Sequence, residues 1–144
     1  MVEYMPDRDI ILEKVANIKY CLKRIQEVTH LDPESLAEIN IQESFILNLQ
    51  RAIQSTIDLA AHIVSSIGLG LPKVLRENFQ FLYQNSLIDK ELGQRLENMV
   101  GFRNIAIHDY SRINVDYLKS ILINNLKDLE DFYTVIVKRY ANGN

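Results

Sequence analysis

The sequence predicts an all-α fold, an up-and-down bundle of about five helices. Apolar residues recur at alternating spacings of four and three through each long segment, the period a helix needs to present one buried stripe. Between these segments stand short breakers, His30-Leu31-Asp32-Pro33, Gly68-Leu69-Gly70-Leu71-Pro72 and Asn85-Ser86. No stretch carries a strand signal, and there is no repeat or low-complexity tract.

The first helix is expected from near Asp7 to about Thr29, with acidic residues in its first turn, where the positive end of the helix dipole favours them. Ile11, Val15, Ile18, Leu22 and Ile25 form its stripe, leaving Glu13, Lys14, Lys23 and Arg24 to solvent. Asp32 suits an N-cap and Pro33 a first helical position, so a short helical stretch should cover 34–39, with His30 in the preceding loop. The longest helix is expected from about Gln42 to Ile67, with Ile46, Leu49, Ile53, Ile57, Ala60 and Val64 inward. The Gly68 and Gly70 pair supplies the left-handed or extended backbone that ends it. Asp58 and His62 lie four apart and are within reach of each other, either as a structural hydrogen bond or as support behind a functional site.

Pro72 fits the start of a third, short helix over about Lys73 to Gln84, with Val74, Leu75, Phe79 and Leu82 apolar. A fourth helix, capped by Asp89, carries the stripe Leu92, Leu96, Met99, Arg103. Gly93 and Gly101 weaken it by roughly 1 kcal/mol each relative to Ala, which close approach of another helix, preferably from a second copy of the chain, would explain. Asn114 is the expected N-cap of a last helix from Val115 to about Arg139, with Val115, Leu118, Leu122, Leu126, Leu129, Phe132 and Ile136 inward. Ala141 to Asn144 should fray.

At 144 residues the length suits a single domain, 1–144, that buries a core without disulfide or metal. An apolar fraction of 47% and a charged fraction of 24% are ordinary for a soluble protein, and no segment reaches the roughly 18 uninterrupted apolar residues of a membrane span. The N-terminal residues lack the basic and apolar regions of a signal peptide, so a cytoplasmic location is expected. Cys21, the sole cysteine, excludes an internal disulfide. There is no glycine-rich phosphate loop, no zinc-type His or Cys spacing and no serine elbow, and no metal or cofactor is expected.

Arg103-Asn104-Ile105-Ala106-Ile107-His108-Asp109-Tyr110 is the one stretch that offers a chemical site. Arg103 occupies a stripe position, where a permanent charge is costly unless a carboxylate or a bound anion meets it. At about 100° per residue Arg103 and His108 lie roughly 140° apart on an unbroken helix, whereas Asn104 and His108 share a face. Either the helix loosens between Arg103 and His108 so that both reach one site, or the two groups meet across a subunit boundary.

Arg-Asn, three residues, His, one residue, Tyr, set between the last two helices of a short helical chain, resembles the signature of HEPN-domain ribonucleases, and most closely the HepT toxins. The resemblance extends to Gln50-Arg51-Ala52-Ile53-Gln54 and Ile57 to Ile63, similar to the long second helix of that family, and so covers most of the chain. It implies a HEPN-like bundle, a homodimer, and metal-independent endoribonuclease activity with Arg103 and His108 as catalytic residues, Asn104 orienting them and Asp109 beside His108. It further implies that a cognate nucleotidyltransferase antitoxin of the MntA kind silences the toxin by transferring AMP to Tyr110. The chemistry is consistent with the residues. An imidazole exchanges protons near neutral pH and a guanidinium binds phosphate oxygens bidentately, which suffices when the RNA 2′-hydroxyl is the nucleophile.

The net charge of −3, with the first forty residues net acidic, requires any RNA contact to come from a local patch; Arg95, Arg103, Arg112 and Lys119 are the candidates. The competing reading is a non-catalytic helical partner or nucleotide-sensing protein that uses Arg103, His108 and Tyr110 as a polar interface.

Overall fold

The computed structural model describes residues 5–141, except for the side chain of Tyr110. Six α-helices follow one another, α1 (Arg8–Thr29), α2 (Ile39–Ser66), α3 (Glu77–Gln84), α4 (Lys90–Asp109), α5 (Val115–Asn124) and α6 (Leu126–Tyr140), and among the described residues there is no strand. Short 3-10 turns, Pro33–Ala37 and Tyr110–Arg112, precede α2 and follow α4.

α1 and α2 form the frame, an antiparallel hairpin packed along most of its length. The Asp7 carboxylate caps α1 by accepting from the amides of Asp9 and Ile10, and Ile11, Val15, Ile18, Cys21 and Ile25 are buried against α2. Leu22 is only partly buried, because Cys21 takes the inward position in that turn. α1 ends on His30, whose left-handed backbone (φ 54°) lets its amide reach the Gln26 carbonyl. The six inward positions expected on α2 are all buried, but the helix starts at Ile39, three residues earlier than the sequence suggested. Glu38 is the reason: its carboxylate accepts from the amides of Asn40 and Ile41 and so acts as the N-cap. At the other end Gly68 adopts φ 69° and the Leu69 amide returns to the Val64 carbonyl, a closure that satisfies an orphan helix carbonyl.

The third helix is shorter than expected. Lys73 to Arg76 form turns bonded three residues apart, and α3 begins at Glu77, so Pro72 is not its first residue. The Glu77 carboxylate holds these turns by accepting from the amides of Lys73 and Val74, which leaves Val74 and Leu75 exposed. The expected last helix is divided at Asn125 into α5 and α6. α5 packs on the Pro33–Ala37 turn, whereas α6 lies against α1, α2 and α4, and one straight rod would not serve both surfaces. At the break Asn125 donates to Asp128, and Asp128, buried, accepts from the Arg95 side chain at 2.9 Å. Phe45, Phe79, Phe102 and Phe132 fill the centre of the core, Phe79 meeting Phe132 edge-on at 5.8 Å between ring centroids.

Gly93 of α4 has a neighbour within its own chain. A Cβ there would run into the Tyr83 ring of α3, so close approach by a second copy is not what that glycine serves. Gly101 has open space where a Cβ would stand.

Candidate functional site

α4 runs unbroken from Lys90 to Asp109, so Arg103 and His108 leave the same helix in different directions. Of the two arrangements open in the sequence, loosening of the helix between them does not occur.

Arg103 points to the edge of α2. Its Nε donates to Gln54 Oε1 at 2.8 Å and its Nη1 donates to Asn104 Oδ1 at 3.0 Å. Gln54 Nε2 in turn donates to Asp58 Oδ1 at 2.8 Å, and Lys14 lies 3.7 Å from the other Asp58 oxygen. Arginine only donates and a carboxylate only accepts, so the Gln54 amide has a single orientation that serves both neighbours. The guanidinium is thus held on two sides by neutral amides, and no carboxylate pairs with it among the described residues. Its full positive charge stays available to an anion.

His108 lies on the side of α4 that Asn104 shares. Asn104, Ile105, His108, Asp109 and Arg112 line a depression of about 380 Å³, and the imidazole makes no hydrogen bond to any described residue. Asp109 shares that depression but its carboxylate accepts from the Ser111 hydroxyl, not from His108. Among the described residues, Asn104 both hydrogen-bonds Arg103 and lines the His108 depression. The Tyr110 backbone opens the 3-10 turn that ends α4, and its side chain lies outside the described residues.

The two acidic and basic candidates on α2 separate. Asp58 stands behind Arg103 through Gln54, as a support. His62 does not reach the site, nor does it bond to Asp58: its Nε2 accepts from the Asp7 amide at 2.9 Å and its Nδ1 faces the Ser66 hydroxyl at 3.5 Å, which ties it to the start of α1. The expected basic patch also divides. Arg95 is paired with Asp128 and Lys119 with Glu34, while Arg112 joins His108. Gln54 went unassigned in the sequence, although its four-residue spacing to Asp58 on one helix face was a usable signal; Arg112 lies four residues beyond His108.

No group of three or more His, Cys, Asp or Glu able to hold a metal occurs among the described residues, and no described helix is long and apolar enough to cross a membrane.

The family model for ribonuclease HepT-like proteins matches residues 18–136. The mRNA nuclease HepT of Shewanella oneidensis is 44% identical over 128 residues, covering 89% of this chain and 96% of that protein. A solved structure of the tri-AMPylated Shewanella oneidensis HEPN toxin in complex with MNT antitoxin superposes with a TM-score of 0.86 at 43% identity, covering 92% of this chain and 99% of that one. The cytosolic protein YutE of Bacillus subtilis shares the fold alone, with a TM-score of 0.81 at 14% identity over 94% of this chain and 92% of that one. An all-helical bundle that carries Arg103, Asn104 and His108 on one unbroken helix, together with these matches along nearly its whole length, places the chain in the HepT-like ribonuclease family.

Proposed function

We propose that this chain is the toxin of a toxin–antitoxin pair, an endoribonuclease that cuts RNA without a metal through Arg103 and His108. The observation that carries the reading is the seating of Arg103 between two neutral amides, one of which, Asn104, also borders the His108 depression. His108 takes the proton from a ribose 2′-hydroxyl, whose oxygen attacks the adjacent phosphorus. Arg103 neutralises the phosphoryl oxygens as charge builds. The bond to the 5′-oxygen breaks, that oxygen takes up the proton that the imidazole accepted, and the products are a 2′,3′-cyclic phosphate and a 5′-hydroxyl.

The divergence of Arg103 and His108 on a straight α4 favours a homodimer in which each copy completes the other's site. Ile105 and Ile107, 46% and 43% exposed on either side of the site, offer apolar surface for that contact. The relative's name makes mRNA the first substrate to test, and a cytoplasmic location would suit that target. Silencing follows from Tyr110, two residues beyond His108. A cognate nucleotidyltransferase antitoxin would join AMP to its phenol, putting a phosphodiester anion where the RNA phosphate binds Arg103 and excluding substrate by volume and like charge. The tri-AMPylated relative supports this assignment.

His108→Ala should lower RNA cleavage by about 10²–10⁴-fold and abolish growth arrest on induction. Wild-type cleavage should persist in EDTA and leave 2′,3′-cyclic ends; a requirement for magnesium with 3′-hydroxyl ends would overturn the mechanism. Intact-mass spectrometry after coexpression with the antitoxin should show added adenylyl groups on wild type and none on Tyr110→Phe.

A further inference from the structure

A second polar depression, of about 420 Å³, opens on α4 away from His108, lined by Arg95, Asn98, Met99, Tyr117, Ile121 and Asn125. Its construction is unusual for solvent-facing surface. Arg95 is fixed at Nε by Asp128, whose side chain is only 7% exposed, and the same carboxylate accepts from Asn125. The break between α5 and α6 therefore turns Asn125 into the depression and steadies Arg95 at once. What remains unused is a set of hydrogen-bonding groups on the residues that line this one space: the Arg95 terminal nitrogens, the Asn98 amide, the Asn125 Oδ1 and the Tyr117 hydroxyl have no partner among the described residues. The Tyr117 ring rests edge-on against Phe102, at 6.1 Å between centroids, and is 42% exposed.

Charge decides what such a site takes. Asp128 neutralises Arg95, so the pocket offers donors, acceptors and an aromatic ring without a net positive charge, which suits a base better than a phosphate. A guanidinium meets two acceptors side by side on guanine, O6 and N7, while the guanine amino group needs an acceptor such as Asn125 Oδ1. The position fits a strand already held at His108. Asn98 and Ile105 are seven residues apart on α4, on one face and about 10 Å along the axis, and Ile105 lines the His108 depression.

We propose that the pocket formed by Arg95, Asn98, Tyr117 and Asn125 is a guanine-binding subsite for single-stranded RNA, displaced along α4 from the point of cleavage. The inference rests on the ribonuclease reading above, and it names the specificity of that enzyme.

Binding to full-length His108→Ala protein tests it without cleavage. The probes are labelled six-nucleotide RNAs, all uridine or with one guanine or one adenine placed at each position in turn, followed by fluorescence anisotropy. At one register the guanine strand should bind about tenfold more tightly than all-uridine RNA and than its adenine counterpart, a loss of one stacked and hydrogen-bonded base being of that size. Asn98→Ala and Tyr117→Leu should each erase most of the preference, and both leave the Arg95–Asp128 pair in place. Asn98 is exposed on a helix, so its variant remains informative if the Tyr117 variant does not fold. Equal binding of all strands, adenine binding as well as guanine, or a preference unchanged in the folded variants overturns the proposal. Cleavage of the same strands by wild type is the separate readout: strands left whole while the guanine preference holds would overturn the nuclease reading and keep the subsite.

Discussion

Gln54 joins two groups of opposite charge that never touch, receiving a hydrogen bond from Arg103 and giving one to Asp58. This arrangement restrains the guanidinium without neutralising it. A direct carboxylate partner would hold Arg103 equally well, yet it would compete with a phosphate for the same positive charge. Gln54→Leu removes one of the two amides that aim Arg103. A hydrogen bond to a charged group is worth about 1.5–3 kcal/mol, and 1.4 kcal/mol is tenfold, so kcat/KM for RNA cleavage should fall at least about tenfold. The thermal midpoint should fall too, by several degrees, because the same amide ties α2 to α4, so the rate is compared at a temperature where the variant is fully folded. An undiminished rate in Gln54→Leu would show that Arg103 is positioned by other means. Arg103 stood out in the sequence because the periodicity of its own helix assigned it to the buried stripe. Gln54 did not: its spacing to Asp58 signals only the local half of the bridge, and Arg103 is 49 residues away.

The two glycines of α4 make opposite predictions although they sit on one helix. A methyl group at Gly93 collides with the Tyr83 ring, whose hydroxyl bonds Glu97, so Gly93→Ala must displace α3 from α4 and should cost about 1–3 kcal/mol of stability. Nothing stands within 4 Å of a Cβ at Gly101, so Gly101→Ala should stabilise the folded chain by up to about 1 kcal/mol through helix propensity alone. Urea unfolding of both variants checks the pair, and destabilisation by Gly101→Ala would point to a partner surface packed on that glycine. The boundaries of α2 and α3 differ from the expected ones for a related reason. Glu38 and Glu77 cap backbone amides with their carboxylates, and glutamate is a weaker sequence signal for a cap than the Asp32 and Asn114 that behaved as expected.

Under the proposed function, a dimer would complete the site. If Arg103 of one copy works with His108 of another, light scattering should give about twice the chain mass of 16.7 kDa. Mixing Arg103→Ala with His108→Ala should then restore activity that neither has alone. Random reassortment makes half the dimers mixed, each with one intact site of two, so about a quarter of wild-type activity is expected. No recovery, with subunit exchange verified by mass spectrometry, would place both groups in one copy's site. The protein should also lose stability in alkali. Burial pushes the phenols of Tyr83, Tyr117 and Tyr133 above their usual value, with Glu97 adding to the effect at Tyr83 and Glu130 at Tyr133. Above about pH 10 the unfolded chain gives up phenolic protons that the folded chain retains, so stability falls as pH rises there, while below that range both states keep them and these groups contribute no slope. The urea midpoint should therefore drop between pH 9 and 11, and by less in Tyr83→Phe.

Local chemistry in the chain was enough to specify the helical class, the inward residues of α2 and most of those of α1 and the α5–α6 segment, where Leu22, Val115 and Leu126 are only partly buried, and an eight-residue cluster that resembles the family's signature, because periodicity and such a cluster are both short-range properties. Helix geometry gave the directions of Arg103 and His108 on an unbroken helix, but not whether the helix stays unbroken there. The continuity of α4, the Gln54 bridge to Arg103, the attachment of His62 to the start of α1 and the break at Asn125 all depend on groups brought together from distant parts of the chain. Side chains such as Gln54, His62 and Asp128 have several possible partners when read in sequence, and packing of α1, α2, α4 and α6 against one core leaves each of them with the partners that the geometry allows.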